Sequence, residues 1–179
     1  WQEPYSRALG WVEIHYQDLY QHDRRTSNRM LFNVVALQLG AEWVVRPGAA
    51  ELAQIWLREV LSQQTKEGVF LEKGGWDSSY QAVSCLNLMW LMMATQEAQL
   101  TSPIARGMKW LSSRVSADGE ISVVGNTRTG RRQEKFFAKV KRVNYFEVAL
   151  AFFYWGELSG EKQYIETAET IIEFLVQHG

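Results

Sequence analysis

The stretch from Ser79 to Thr95 reads SYQAVSCLNLMWLMMAT and contains no charged residue. A helix that is apolar around its whole circumference must be covered on all sides by other elements. The next segment opens at Ser102-Pro103, which we interpret as an N-cap followed by the first helical residue. Its apolar residues keep to one side at helical spacing, at Ile104, Met108, Leu111 and Val115. The two segments therefore predict a hairpin of one buried helix and one solvent-facing helix.

The same alternation occurs twice more along the chain. Residues Ser27 to Val45 are mostly apolar, and Ala49 to Gln64 carry a single apolar stripe. Residues Tyr145 to Leu158 are again apolar, and Glu161 to Gln177 are again striped. A further helix is predicted from Pro4 to Gln21. The sequence thus predicts an all-α fold of about seven helices, in which repeated α-hairpins form two layers.

The connecting segments repeat as well. Lys66-Glu-Gly-Val-Phe70 and Ala117-Asp-Gly-Glu-Ile121 begin 51 residues apart, and each follows a striped helix. Internal repetition of this kind is typical of a solenoid or a toroid of α-hairpins. The alternative is a four-helix bundle with extra helices. We expect residues 1–179 to form one domain, and because the chain starts at Trp1 rather than Met, it could be part of a larger toroid.

Composition excludes several classes of protein. The chain is 46% hydrophobic and 13% aromatic, which argues against disorder, and its net charge of −1 argues against nucleic-acid or membrane-surface binding. No apolar run is long enough to predict a transmembrane helix. The single Cys85 excludes an internal disulfide and a multi-cysteine zinc site, and the histidines lack metal-ligand spacing. We therefore predict no metal and no cofactor.

The loop that leads into the second apolar helix ends in Gly74-Gly-Trp-Asp-Ser-Ser-Tyr-Gln81. Asp77 and Tyr80 are candidate catalytic residues, while Trp76 and Gln81 are candidate substrate contacts. A structural alternative exists, because Ser78 and Gln81 have capping-box spacing and Asp77 favours a helix N-terminus. Capping leaves Trp76, the two glycines and Tyr80 without a role.

The loop from Val123 to Val143 is strongly basic. It contains seven Lys and Arg residues and one acid, Glu134. A basic surface of this kind attracts carboxylate, sulfate or phosphate groups, and the alternative is a solvated loop without a ligand. The candidate substrate-binding residues in it are Asn126, Arg128 and Arg131.

The third apolar helix opens with Asn144-Tyr145-Phe146-Glu147, and Asn144 and Glu147 again have capping-box spacing. We expect Tyr145 to occupy the place that Tyr80 has in the preceding repeat. Tyr145 and Glu147 are therefore candidate catalytic residues, and Asn144 is a candidate substrate contact. A surface cap beside a core aromatic is the structural alternative for each of them.

With the hairpin repeat and the segment from Gly74 to Gln81, the chain resembles the (α/α)-toroid carbohydrate-active enzymes. These include polysaccharide lyases of the alginate-lyase and heparinase type and the glucuronyl hydrolases. The resemblance implies a substrate groove at one mouth of the toroid, with Tyr80 or Tyr145 as the proton-transfer group. It also implies that Asn126, Arg128 and Asn144 neutralise a substrate carboxylate.

The chain departs from that family in two ways. It has no Asn-Asn-His segment and no histidine near either loop, and a full toroid needs about twice as many helices. A missing half, closure as an oligomer or a short open variant would each account for the helix number.

Two functions follow as expectations. The first is a toroid-like domain that binds an anionic polysaccharide or oligosaccharide and, if it is an enzyme, cleaves it as a lyase or a hydrolase. The alternative is a non-catalytic helical repeat that binds a protein or peptide in its concave face. The first function predicts that Tyr80, Tyr145, Asp77 and Arg128 converge on one pocket.

Overall fold

The computed structural model describes residues 2–130 and 135–178, and their secondary structure is almost entirely helical. A short 3-10 turn (Ala98–Leu100) precedes the fifth helix. The elements in chain order are α1 (Gln2–Asp23), α2 (Ser27–Val44), α3 (Pro47–Ser62), α4 (Ser78–Thr95), α5 (Thr101–Ser112), β1 (Lys135–Phe136), β2 (Lys139–Val140), α6 (Tyr145–Ser159) and α7 (Lys162–His178). The two short strands pair as an antiparallel hairpin. The predicted all-α helical-repeat fold is confirmed.

The helices pack as adjacent pairs in two rows. Helix α2 packs on α3, α4 on α5, and α6 on α7, while α4 also contacts both α2 and α6. Helices α2, α4 and α6 are therefore the inner helices, and α3, α5 and α7 are the outer helices. Helix α4 is buried along most of its length, whereas α5 buries only a stripe that includes Ile104, Met108 and Leu111. Helix α1 packs on α2 and α3.

The two repeated connections have the same conformation. The amide of Thr65 donates to the carbonyl of Val69 at 3.0 Å, and the amide of Ser116 donates to the carbonyl of Glu120 at 2.9 Å. Each turn contains a glycine with positive φ, at positions 68 and 119, whose missing Cβ leaves room for a backbone carbonyl of α5 or of α7. Each turn thus packs on the outer helix of the following hairpin, which favours a repeat over a bundle with extra helices.

Two predicted caps are wrong. The N-cap of α4 is Asp77 rather than Ser78, so Ser78 and Gln81 do not form a capping box. Ser78 lies inside the helix, and its hydroxyl donates to the carbonyl of Ser122 at 2.8 Å. Ser102 is not a cap either, because α5 begins one residue earlier, directly after the 3-10 turn.

Neither a membrane span nor a metal cluster occurs in the part of the chain that the structure describes. No helix there combines the length and the hydropathy needed to cross a bilayer. Likewise, no three His, Cys, Asp or Glu side chains within residues 2–130 and 135–178 are grouped to hold a metal ion.

Candidate anion-binding pocket

A pocket of about 970 Å³ lies where the N-terminal ends of the three inner helices meet strand β2 and the segment after it. We call it the inner-helix pocket. Its lining combines aromatic, amide and cationic side chains, namely Asn28 and Phe32 of α2, Ser79, Tyr80 and Val83 of α4, Asn144 and Glu147 at the start of α6, and Lys139, Val140, Lys141 and Arg142.

The repeat explains how α4 and α6 contribute to this pocket. The N-caps of the two helices are Asp77 and Asn144, and each cap side chain accepts a hydrogen bond from a backbone amide of the first turn. The third residue after the cap is Tyr80 in α4 and Glu147 in α6, and both line the inner-helix pocket. Equivalent positions of successive repeats therefore supply a phenol and a carboxyl group.

Tyr145 lies elsewhere. It follows its N-cap by one residue, so the expected equivalence with Tyr80 is wrong by two positions. Its hydroxyl accepts a hydrogen bond from the amide of Ile121 at 3.3 Å, and its ring stacks on Phe174 of α7 with the centroids 5.6 Å apart. Tyr145 thus faces the outer helix α7 and is absent from the lining of the pocket.

The electrostatics of the inner-helix pocket favour an anion. Lys139, Lys141 and Arg142 lie in its lining, and the positive ends of three helix dipoles point toward it. Burial lowers the pKa of Lys141, the negative charges of Asp77 and Glu72 raise it, and the positive charges of Lys73 and Arg29 lower it. The lining itself contains three cations and one acid, Glu147, although the net charge of the chain is only −1.

Glu147 is the acidic residue of the lining. Burial raises the pKa of its carboxyl group, while a hydrogen bond with Asn144 and the charge of Lys141 act in the opposite direction. A carboxylic acid with a raised pKa can donate a proton to a neighbouring ligand or accept one from it.

Tyr80 lies between two cations. The Lys141 ammonium group contacts its hydroxyl and lies 4.6 Å from the ring centroid. The guanidinium carbon of Arg128 lies 4.0 Å from the same centroid. These are cation–π distances, so the ring has a fixed position between the basic loop and the pocket.

Asp77 lies behind the pocket and is completely buried. Its Oδ1 accepts hydrogen bonds from the amides of Ser79 and Tyr80 and from the hydroxyl of Thr129. Its Oδ2 accepts from the amides of Arg128 and Thr129 at 3.0 and 2.7 Å. One carboxylate thus caps α4 and fixes the basic loop to it.

Asn126 makes a second connection between the same two segments. Its Oδ1 accepts a hydrogen bond from the amide of Ser78 at 3.1 Å, and its Nδ2 donates to the hydroxyl of Thr129 at 2.9 Å. Asn126 is buried, so within the described structure these contacts account for both ends of its amide group. The structure therefore brings Asp77, Asn126 and Arg128 together beside Tyr80.

Glu72 was not identified from the sequence. It is fully buried, and its Oε1 accepts a hydrogen bond from the amide of Asn28 at 2.9 Å. Its Oε2 lies 3.4 Å from Nη1 of Arg128. Burial raises the pKa of Glu72 to about 7, because desolvation outweighs the contacts with Asn28 and Arg128. A single acid directly after the apolar run Val69-Phe70-Leu71 was the available signal.

The remaining candidates lie at different depths. Gln81 is fully buried. Its side-chain Oε1 accepts a hydrogen bond from the backbone amide of Phe70, and its Nε2 donates to the backbone carbonyls of Gly68 and Gly107. Trp76 is half exposed, and its ring rests on Gly125. Arg131 lies outside the described residues. The substrate-binding roles expected for these three residues stay predictions.

Comparison with family models, with curated proteins and with solved structures gives no match for this chain. The resemblance to toroid enzymes is therefore supported only by the hairpin repeat and the loop residues, and a function has to be argued from the inner-helix pocket.

Proposed function

We propose that this protein binds an anionic saccharide in the inner-helix pocket. The observation that carries the proposal is the combination of cations and aromatic rings in one concave lining, with Lys141 and Arg142 close to Phe32 and Tyr80. A uronate residue presents a carboxylate and an apolar ring face, and the two kinds of side chain are complementary to these two features. Polar groups that converge in a partly apolar pocket are typical of small-ligand sites.

Cleavage of the bound saccharide is the second part of the proposal. Elimination or hydrolysis needs groups that exchange a proton with the substrate next to cations that stabilise the developing charge. The Tyr80 hydroxyl in contact with Lys141, and the Glu147 carboxyl with its raised pKa, support this because both line the same pocket as Arg142. Asp77 and Arg128 contribute by holding Tyr80 from behind rather than by contacting the ligand.

Binding is tested with oligouronates by isothermal titration calorimetry at low salt. The double variant Lys141→Ala/Arg142→Ala removes two cations from the lining, and we expect a loss of affinity of about 10- to 100-fold, as for lost charge-assisted hydrogen bonds. The matched control is Lys66→Ala/Lys162→Ala, which removes two exposed lysines that do not line the pocket. Equal affinities in the two double variants would contradict the proposal.

The reaction is tested with the same oligomers. Ultraviolet absorbance of an unsaturated product identifies elimination, and new reducing ends without that absorbance identify hydrolysis. Tyr80→Phe should abolish either activity while leaving oligomer binding within a few-fold. Full activity in Tyr80→Phe and in Glu147→Gln would refute the acid–base assignment.

Binding of a protein or peptide is the second candidate function, and a separate surface favours it. Phe146, Leu150 and Phe153 form an exposed stripe on α6, beside Ile172 of α7. Counted from the N-cap, the equivalent positions of α4 are buried. This function predicts that an amphipathic helical peptide binds the wild type and Lys141→Ala equally well, and that Leu150→Glu abolishes its binding.

A further inference from the structure

We propose that Glu72 positions Tyr80 in the inner-helix pocket through Arg128, and that the charge of Glu72 sets the pH range in which the pocket binds its anionic ligand. The second half of this inference rests on the proposed function, whereas the first half can be tested without any ligand. Glu72 is a positioning residue in this scheme, because it does not line the pocket.

A continuous series of contacts connects Glu72 with the pocket. Its Oε2 lies 3.4 Å from Nη1 of Arg128, and the Arg128 guanidinium carbon lies 4.0 Å from the centroid of the Tyr80 ring. Glu72 is 0% exposed and Arg128 is 7% exposed, so water screens these contacts weakly. A change in the charge of Glu72 therefore acts directly on the cation that stacks against Tyr80.

Glu72 also supports the opposite wall of the pocket. Its Oε1 accepts a hydrogen bond from the amide of Asn28, a residue of the pocket lining in the first turn of α2. Its backbone forms isolated bridges with Thr26 and with Gly75. One buried carboxylate thus contacts the segments that carry the α2 wall and the Tyr80 wall.

The charged groups around Glu72 determine the direction of the effect. Arg128 favours the ionised carboxylate, Asp77 disfavours it, and burial raises the pKa to about 7. Below that pH the carboxyl group is neutral and no longer offsets the charge of Arg128. The electrostatic potential at the pocket then becomes more positive. The negative charge of Glu72 also acts on Lys141, so the loss of that charge makes the potential around Lys141 more positive as well. We therefore expect an anion to bind more tightly as the pH falls through about 7.

The pH dependence caused by Glu147 must be distinguished from that caused by Glu72, since Glu147 lines the pocket and its carboxyl group also has a raised pKa. Its protonation would likewise strengthen anion binding at lower pH. The variants Glu72→Gln and Glu147→Gln distinguish the two carboxyl groups, because only Glu72 acts on Tyr80 through Arg128.

The positioning step is tested on the free protein by NMR with ring-labelled tyrosine, with Tyr80→Phe identifying the Tyr80 resonance. In the wild type this resonance should shift between about pH 5 and about pH 9 with a midpoint near 7. The shift should disappear in Glu72→Gln and persist in the matched control Glu59→Gln, whose carboxylate lies 3.1 Å from the Tyr20 hydroxyl on another face. A wild-type Tyr80 resonance without this titration would overturn the inference, whether or not the variant folds.

The ligand step is tested with an oligouronate at pH 6 and pH 8. We expect roughly 5-fold or greater tightening at pH 6 in the wild type and in Glu147→Gln, a smaller change in Glu72→Gln, which keeps Glu147, and none in the double variant Glu72→Gln/Glu147→Gln. Titration of Tyr80 without oligouronate binding at any pH would leave the positioning role intact and refute the proposed function. Binding with equal affinity at both pH values would leave the proposed function intact and refute the control by Glu72.

Discussion

Replacement of Asp77 by alanine should destabilise the protein far more than loss of an ordinary helix cap. The carboxylate accepts hydrogen bonds from four backbone amides, those of Ser79, Tyr80, Arg128 and Thr129. It also accepts one from the hydroxyl of Thr129. The substitution leaves all of these donors in a region from which water is excluded, since Asp77 itself is fully buried.

The size of the effect follows from two contributions. Loss of an N-cap costs about 1 kcal/mol. Each of the two loop amides at Arg128 and Thr129 that stays buried without an acceptor adds about 1 to 2 kcal/mol. Together these give a loss of about 3 to 5 kcal/mol in the free energy of unfolding. The repeat supplies a matched control in Asn144, an exposed N-cap that accepts one backbone hydrogen bond, from Glu147. Its replacement by alanine should cost about 1 kcal/mol.

Urea unfolding followed by far-ultraviolet circular dichroism measures both variants at neutral pH. Equal losses in Asp77→Ala and Asn144→Ala would refute the argument, because they would mean that the contacts of Asp77 with the basic loop do not contribute. The same experiment bears on the sequence-based expectation that Asp77 is catalytic. A purely catalytic aspartate could be replaced without a large change in the free energy of unfolding.

Two further predictions concern stability. Burial raises the pKa of Glu72 from 4.5 to about 7, so its contribution is fully present below pH 4.5 and is lost as the pH rises through about 7. The unfolding free energy of the wild type should therefore fall by about 3 kcal/mol relative to Glu72→Gln between about pH 4.5 and about pH 8, and a constant difference would contradict the burial argument. Gly119→Ala should cost well over 1 kcal/mol in thermal unfolding, because φ is +92° and the Cβ would overlap a carbonyl of α7. Gly74→Ala, with φ of +83° and open space, should cost about 1 kcal/mol, and equal losses would show that the contact with α7 is unimportant.

The fold could be predicted because its cause lies in local patterns. A helix such as α4, with no charge and apolar residues on every side, can only be an inner helix, and the striped α5 can only be an outer one. The repeated glycine-containing loops indicated internal repetition, which predicts a solenoid or a toroid of α-hairpins. The predicted cap failed at Ser78, because Asp77 caps α4 and also binds the distant Arg128 and Thr129. It failed at Ser102, because a 3-10 turn leads directly into α5.

The site was only partly predictable, because its essential contacts join residues far apart in the chain. Tyr80, Glu147 and Asn144 were singled out from the sequence, and they line the inner-helix pocket. The sequence could not show that Asp77 lies behind the pocket, since its partners Arg128 and Thr129 are about fifty residues away. Glu72 was missed for the same reason.

The inner-helix pocket illustrates how a repeat can produce a varied site. The third residue after the N-cap is Arg29 in α2, Tyr80 in α4 and Glu147 in α6. Two of these line the pocket, and the charge of Arg29 acts on Lys141 within it. One backbone position therefore contributes a phenol and a carboxyl group to the pocket, and a guanidinium outside the lining whose charge acts on Lys141. Since the N-terminal ends of α4 and α6 are held by the caps Asp77 and Asn144, we expect that Tyr80 and Glu147 can be exchanged with little effect on the scaffold, so a change of ligand chemistry need not disturb the fold.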